Sequence, residues 1–198
     1  MIISVIFVLL FLAFLMGIIL VPKIDGKINM IKVAVMGIMA IFCYQSFWAF
    51  MFQLVGIPVN LKSTCISMAA AVLLLWGMII KKKKMQRIFV RITDIAVLAV
   101  LAGIVIAVSL HMFTPYLRLS YINSDPANHF NDAMVIVKQG VLGKHIYFSA
   151  FVNAMFIEIF SPILIVSKYY KAFIFADIFM HVLEVWMCYV LMLTVSEK

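Results

Sequence analysis

Two sets of ionisable residues carry the side chains most able to do chemistry in this chain, and both use one spacing. Asp125, His129 and Asp132 fall at i, i+4 and i+7, and so do Asp177, His181 and Glu184. On an α-helix that spacing lines up one imidazole and two carboxylates along a single face. An imidazole beside carboxylates can move a proton, act as general acid or base, or hold a cation. The first set lies in residues 121–140, YINSDPANHFNDAMVIVKQG, the one long polar stretch of the sequence. The second lies inside an apolar run.

Composition decides what must position them. The chain has 198 residues, 67% of them hydrophobic and 12% charged, with a mean hydropathy of +1.18. A soluble domain is roughly 45–50% apolar, and a fold of this size cannot enclose so large an excess. The expected class is all-α, a polytopic transmembrane helix bundle. Cys43, Cys65 and Cys188 all sit in apolar runs, where cysteine serves as a small packing residue more often than as a disulfide or metal ligand. The net charge of +8 has no nucleic-acid motif beside it and fits loops lying against anionic membrane lipids.

Apolar runs predict about six spans, at 1–21, 33–55, 63–80, 92–112, 147–167 and 172–195. The first has no basic residue before it and no small-x-small site after it, so it is expected to stay uncleaved. Gln45, Ser46 and Gln53 in the second span are expected to face other helices, since lipid offers them no partner. The division is a three-span unit at 1–91, ending in a cytoplasmic polybasic loop, and a second three-span unit at 92–198 with an outer loop at 113–146. Lys81–Lys84, Arg87 and Arg91 read as a topology signal, with a specific anionic-lipid site as the alternative. The loops after spans one, three and five hold eleven Lys and Arg, those after spans two and four only four. This asymmetry puts the N-terminus, the 113–146 loop and the C-terminus outside.

Ser124-Asp125-Pro126 is a helix start, with Asp as cap and Pro at the first helical position, and Gly140 is the matching stop. Ala127, Phe130, Met134, Val137 and Val141 form one apolar stripe, so an amphipathic interfacial helix is expected in the outer loop after span four. A cap aspartate needs no catalytic task, and a histidine at the interface can be merely solvated. Both bland readings stand beside the functional one.

A span entering from the cytoplasm, an outer loop with S-D-P-x-x-H and an amphipathic juxtamembrane helix together resemble the GT-C glycosyltransferases, over residues 91–193. The resemblance implies sugar transfer from a polyprenyl-phosphate-linked donor on the outer face, in a bacterial cytoplasmic membrane. It places Asp125 where that family has its catalytic loop aspartate, with His129 near phosphate or acceptor and Asp132 on the same helix face. A cation, supplied by His129, Arg118, Lys144 or a divalent metal, would steady the departing phosphate. Three spans precede the loop here, where the family usually has one, and family members carry more spans in all. The resemblance therefore implies an N-terminal portion or a shortened relative.

The second set supports a different reading. Ionisable residues inside a span usually face a cavity or a partner, and Cys188 follows Glu184 by one turn, with Glu158 expected as a neighbour. The row is expected to face protein. It could be a proton or ion path, a metal site, or a polar seam paired against other helices, from this chain or a partner subunit. A transporter or channel component and a non-enzymatic membrane subunit are the rival functions. No inverted repeat or broken-helix pair supports transport.

Overall fold

Helix starts and stops encoded in the sequence set most of the element boundaries. A computed structural model of the protein describes residues 2–22, 27–81, 87–113, 125–142, 148–160 and 169–196. In chain order the elements are α1 (Ile2–Leu20), β1 (Lys27–Asn29), α2 (Met30–Leu54), α3 (Leu61–Lys81), β2 (Arg87–Phe89), α4 (Ile92–Phe113), α5 (Asp125–Gln139), α6 (Phe148–Phe160) and α7 (Tyr169–Ser196). The expected all-helical class is observed. Among the described residues four helices, α2, α3, α4 and α7, are long and apolar enough to cross a membrane, and Ser4–Leu20 of α1 and Ser149–Phe160 of α6 form shorter apolar segments.

The α2–α3 turn shows how local chemistry fixes a boundary. Gly56 takes a left-handed φ of 74°. Its N–H donates to the Gln53 carbonyl at 3.1 Å, and the Ile57 N–H donates to the Phe52 carbonyl at 2.8 Å. This bond pair closes a Schellman motif at the end of α2. Pro58 follows, and Asn60 then caps α3, its Oδ1 accepting from the Lys62 and Ser63 N–H groups at 2.9 and 3.1 Å. Asn29 caps α2 in the same way, accepting the Ile31 N–H at 2.9 Å.

Contacts divide the chain into two compact units, each assembled from separate segments. The first comprises Met1–Tyr44, Ile66–Gly103 and Val182–Lys198. In it α1 and α2 meet backbone to backbone. A Cβ on Gly17 would lie 2.0 Å from the Val33 carbonyl oxygen, and one on Gly37 would lie 1.9 Å from that of Ala13. Small residues allow helices to approach this closely when no side chain separates them. Beyond these helices β1 and β2 pair in parallel, Lys27 opposite Arg87 and Asn29 opposite Phe89. The second unit comprises Gln45–Cys65 and Ile104–His181 and contains the α2–α3 turn, α5 and α6.

One expectation needs correction. A six-span order makes α4 and the last helix parallel, yet they are antiparallel. The Tyr189 hydroxyl donates to Asp94 Oδ1 at 3.0 Å, and Trp186 Nε1 donates to the Leu98 carbonyl at 2.9 Å, so position rises on one helix as it falls on the other. The chain between α4 and α7 therefore returns to the end at which α4 finished. Of the expected span at 147–167 the described residues hold the 13-residue α6; residues 161–168 lie outside them. The C-terminal end of α7 consequently shares the Asp94 end of α4 with β1 and β2, and is not opposite to it.

Candidate functional site

The helix of the polar stretch forms where its sequence signals place it. α5 begins at Asp125 and ends at Gln139. Gly140, with φ 67°, sends its N–H back to the Ile136 carbonyl at 2.8 Å, the single bond of a left-handed cap. This end of α5 is clasped to the α2–α3 turn. The Val59 N–H donates to the Gly140 carbonyl at 2.6 Å, and the Leu142 N–H donates to the Gln53 side-chain oxygen. At the other end of the helix Phe130 lies edge-on to Tyr170 and Phe173 of α7, with ring centroids 6.1 and 5.4 Å apart.

The buried face of α5 differs from the expected stripe. Ala133 and Ile136 are fully buried, His129 and Asp132 are half-buried beside them, and Val141 is exposed. The inward line runs through His129, Ala133, Ile136 and Gly140, about a quarter turn from the stripe through Phe130, Met134 and Val137 at 100° per residue. The more hydrophobic stripe lost because α5 packs on α6 and on the α2–α3 turn, where small residues let the backbones approach. His129 thus belongs to the packed side of the helix. Asn128, Asn131, Lys138 and Gln139 are exposed, as their polarity requires. Arg118 and Lys144 lie outside the described residues.

α6 adds two polar groups. Asn153 is 1% exposed, and among the described residues neither atom of its side-chain amide has a hydrogen-bond partner. Glu158 accepts the Leu61 N–H at the start of α3, where the helix dipole favours a carboxylate. Expected as a neighbour of the second ionisable set, it is engaged at this helix start. Phe156 seats α6 on α7 through Phe175 and Phe179, with centroids 6.0 and 5.3 Å away.

The second set lies on α7. His181 Nδ1 is 2.8 Å from the Asp177 carbonyl oxygen and 3.8 Å from Asp177 Oδ2. A carbonyl oxygen only accepts, so Nδ1 carries the proton and Nε2 is the outward nitrogen. Expected to face protein, most of the row is exposed among the described residues: the His181 side chain is 52% exposed, and Glu184 and Cys188 are exposed as well, while Asp177 is half-buried. Among the described residues no three His, Cys, Asp or Glu side chains converge as a metal site would require.

A third polar group centres on Asp94, near the start of α4. Asn29 Nδ2 donates to Asp94 Oδ2 at 3.2 Å while Tyr189 donates to Oδ1. Asn29 and Asp94 are each 4% exposed, and nearby in sequence Lys32 is 2% exposed. Three segments far apart in the chain meet at this carboxyl, so no local pattern could have revealed it.

By length and composition of its helices the chain is a multi-pass membrane protein. No protein-family model, curated protein or solved structure matches it.

Proposed function

We propose that the protein is a membrane glycosyltransferase of the GT-C kind, or the catalytic-loop-bearing portion of one, using a sugar donor linked to polyprenyl phosphate. The observation that carries the proposal is the clasp at Gly140. A helix that opens with Asp125 is tied to the α2–α3 turn at one end and wedged by Phe130 against α7 at the other. A catalytic carboxylate needs a rigid mount of that kind. Ten of the sixteen Lys and Arg residues flank the helix ends that carry β1, β2 and the C-terminus. The positive-inside rule favours the cytoplasmic side for that end, and the resemblance supplies the outer-face site in a bacterial cytoplasmic membrane.

The chemistry asks little of the protein. A glycosyl phosphate brings its own leaving group, so the enzyme must position an acceptor and take its proton, which a carboxylate within hydrogen-bond reach does. In this reading Asp125 is the base, His129 and Asp132 flank the substrate, and Arg118, Lys144 or a divalent metal meets the phosphate. The exposed row on α7 favours the rival reading, a membrane subunit or transporter component whose polar face meets a partner.

Asp125→Asn separates catalysis from capping. Asparagine caps a helix almost as well as aspartate but makes a poor base. Transfer from a polyprenyl-phosphate sugar by membranes containing the protein should fall by roughly 10²–10⁴, with expression unchanged. Lys138→Gln, exposed on the same helix and outside the proposed site, serves as the control. Transfer at the wild-type rate by Asp125→Asn would leave the residue a helix cap and remove the enzymatic reading.

A further inference from the structure

Along α7, Asp177, His181, Glu184, Cys188, Leu191 and Val195 follow one another at steps of four, three, four, three and four residues. That is the alternation of heptad positions, with His181, Cys188 and Val195 at a and Asp177, Glu184 and Leu191 at d. The row is open along its length. Asp177 is half-buried and the other five are exposed. Nearer the helix start, Tyr170 and Phe173 occupy the same azimuth and are covered by Phe130 of α5. The opposite face is core, with Val182, Leu183 and Val190 buried. A membrane-crossing α7 thus turns its apolar side inward and its ionisable side outward, the reverse of what hydrocarbon tolerates.

We infer that this row is where two copies of the chain pair, α7 beside α7 and parallel, about a twofold axis along the membrane normal. The charge pattern is self-complementary in that arrangement. In parallel heptad packing, a side chain at a enters a hole lined by the partner's preceding d, its a and its following d residues. The His181 ring of each copy therefore enters a hole lined by Asp177 and Glu184 of the other. With Nδ1 committed to the Asp177 carbonyl of its own helix, Nε2 is the atom presented. One proton shared between Nε2 and a facing carboxyl oxygen completes the bond, and the twofold axis makes a second. Cys188, Leu191 and Val195 continue the seam as small and apolar layers. A twofold interface matches one surface to itself, and a row carrying a basic group between two acidic ones meets that demand. The inference does not depend on the enzymatic reading.

Cys188 occupies an a position, where identical side chains face each other across the axis, so the native residue is its own reporter. In a Cys43→Ser, Cys65→Ser background, two differently tagged copies are co-expressed and the membranes oxidised with copper phenanthroline. The expected product is a reducible dimer carrying both tags. With Cys188→Ser added, Leu191→Cys restores the crosslink. Leu193→Cys on the far side of α7 does not, and neither does Leu73→Cys, a freely exposed position on α3. His181→Leu lowers the yield at Cys188, because each hole loses its basic knob. The inference is overturned if Cys188 stays monomeric, if positions 193 and 73 link as readily as 188, or if position 188 joins only a different protein.

Discussion

Gly140→Ala tests whether α5 is held as the candidate site requires. Gly140 has a φ of 67°, and holding a residue with a Cβ there costs roughly 1–2 kcal/mol. The new Cβ would stand 3.0 Å from Pro58 Cβ and 3.4 Å from Pro58 Cα. The α2–α3 turn must then yield by a few tenths of an ångström, which strains the 2.6 Å bond from the Val59 N–H to the Gly140 carbonyl. Losing that bond adds about 0.5–1.5 kcal/mol, for a total of roughly 1.5–3.5 kcal/mol. Gly56 is the internal control, since its φ is 74° but nothing lies within 4 Å of an added Cβ. Gly56→Ala carries the conformational cost alone. Unfolding of the detergent-purified protein by increasing SDS measures both variants. Gly140→Ala should be the less stable by about the worth of one hydrogen bond, and a Gln139→Cys probe should become more reactive only in that variant. Equal losses at the two glycines, with position 139 unchanged, would show that the clasp does not hold α5.

Two further outcomes are expected. Asp94→Leu strands the buried Asn29 amide, at about 1–3 kcal/mol for the unsatisfied group, and also removes the acceptor of the half-buried Tyr189 hydroxyl. Tyr189→Phe removes one donor and leaves the Asn29 bond to Asp94 intact, so its melting temperature in detergent should fall less. For topology, an impermeant maleimide applied from outside, in a cysteine-free background, should leave Phe89→Cys and Ser196→Cys alike unlabelled; labelling of position 196 alone would restore the parallel arrangement of α4 and α7.

Much of this was legible in the sequence, and the rest was hidden for identifiable reasons. Asp125-Pro126 marked the start of α5 to within a residue and Gly140 its end, because such signals act within a few residues. The apolar runs located α2, α3, α4 and α7 because burial in lipid demands length and little else. The side to which the chain returned was not legible. An apolar run such as 147–167 reads alike whether it crosses or folds back, and the bonds that decide the matter join residues 88 and 95 positions apart. The inward face of α5 was misjudged because hydrophobicity favoured Phe130, Met134 and Val137. Close packing instead selected Ala133, Ile136 and Gly140, and carried His129 with them. The close approach of α1 and α2 at Gly17 and Gly37 went unread, since a glycine in a span signals contact only once its neighbour is known.

The Asp94 carboxyl also has a history within the life of each chain. Its first partner, Asn29, is synthesised 65 residues earlier, and its second, Tyr189, arrives 95 residues later. At typical translation rates of about 5–20 residues per second, that second wait lasts roughly 5–20 s. When the interval opens α1 to α3 are already made and α4 has just begun, and until it closes one oxygen of a carboxyl destined for burial lacks its hydroxyl. Docking of the last helix is what closes it, so the order of synthesis makes α7 the step that completes the first unit. A chain halted before residue 189 would lack that hydroxyl for as long as it existed.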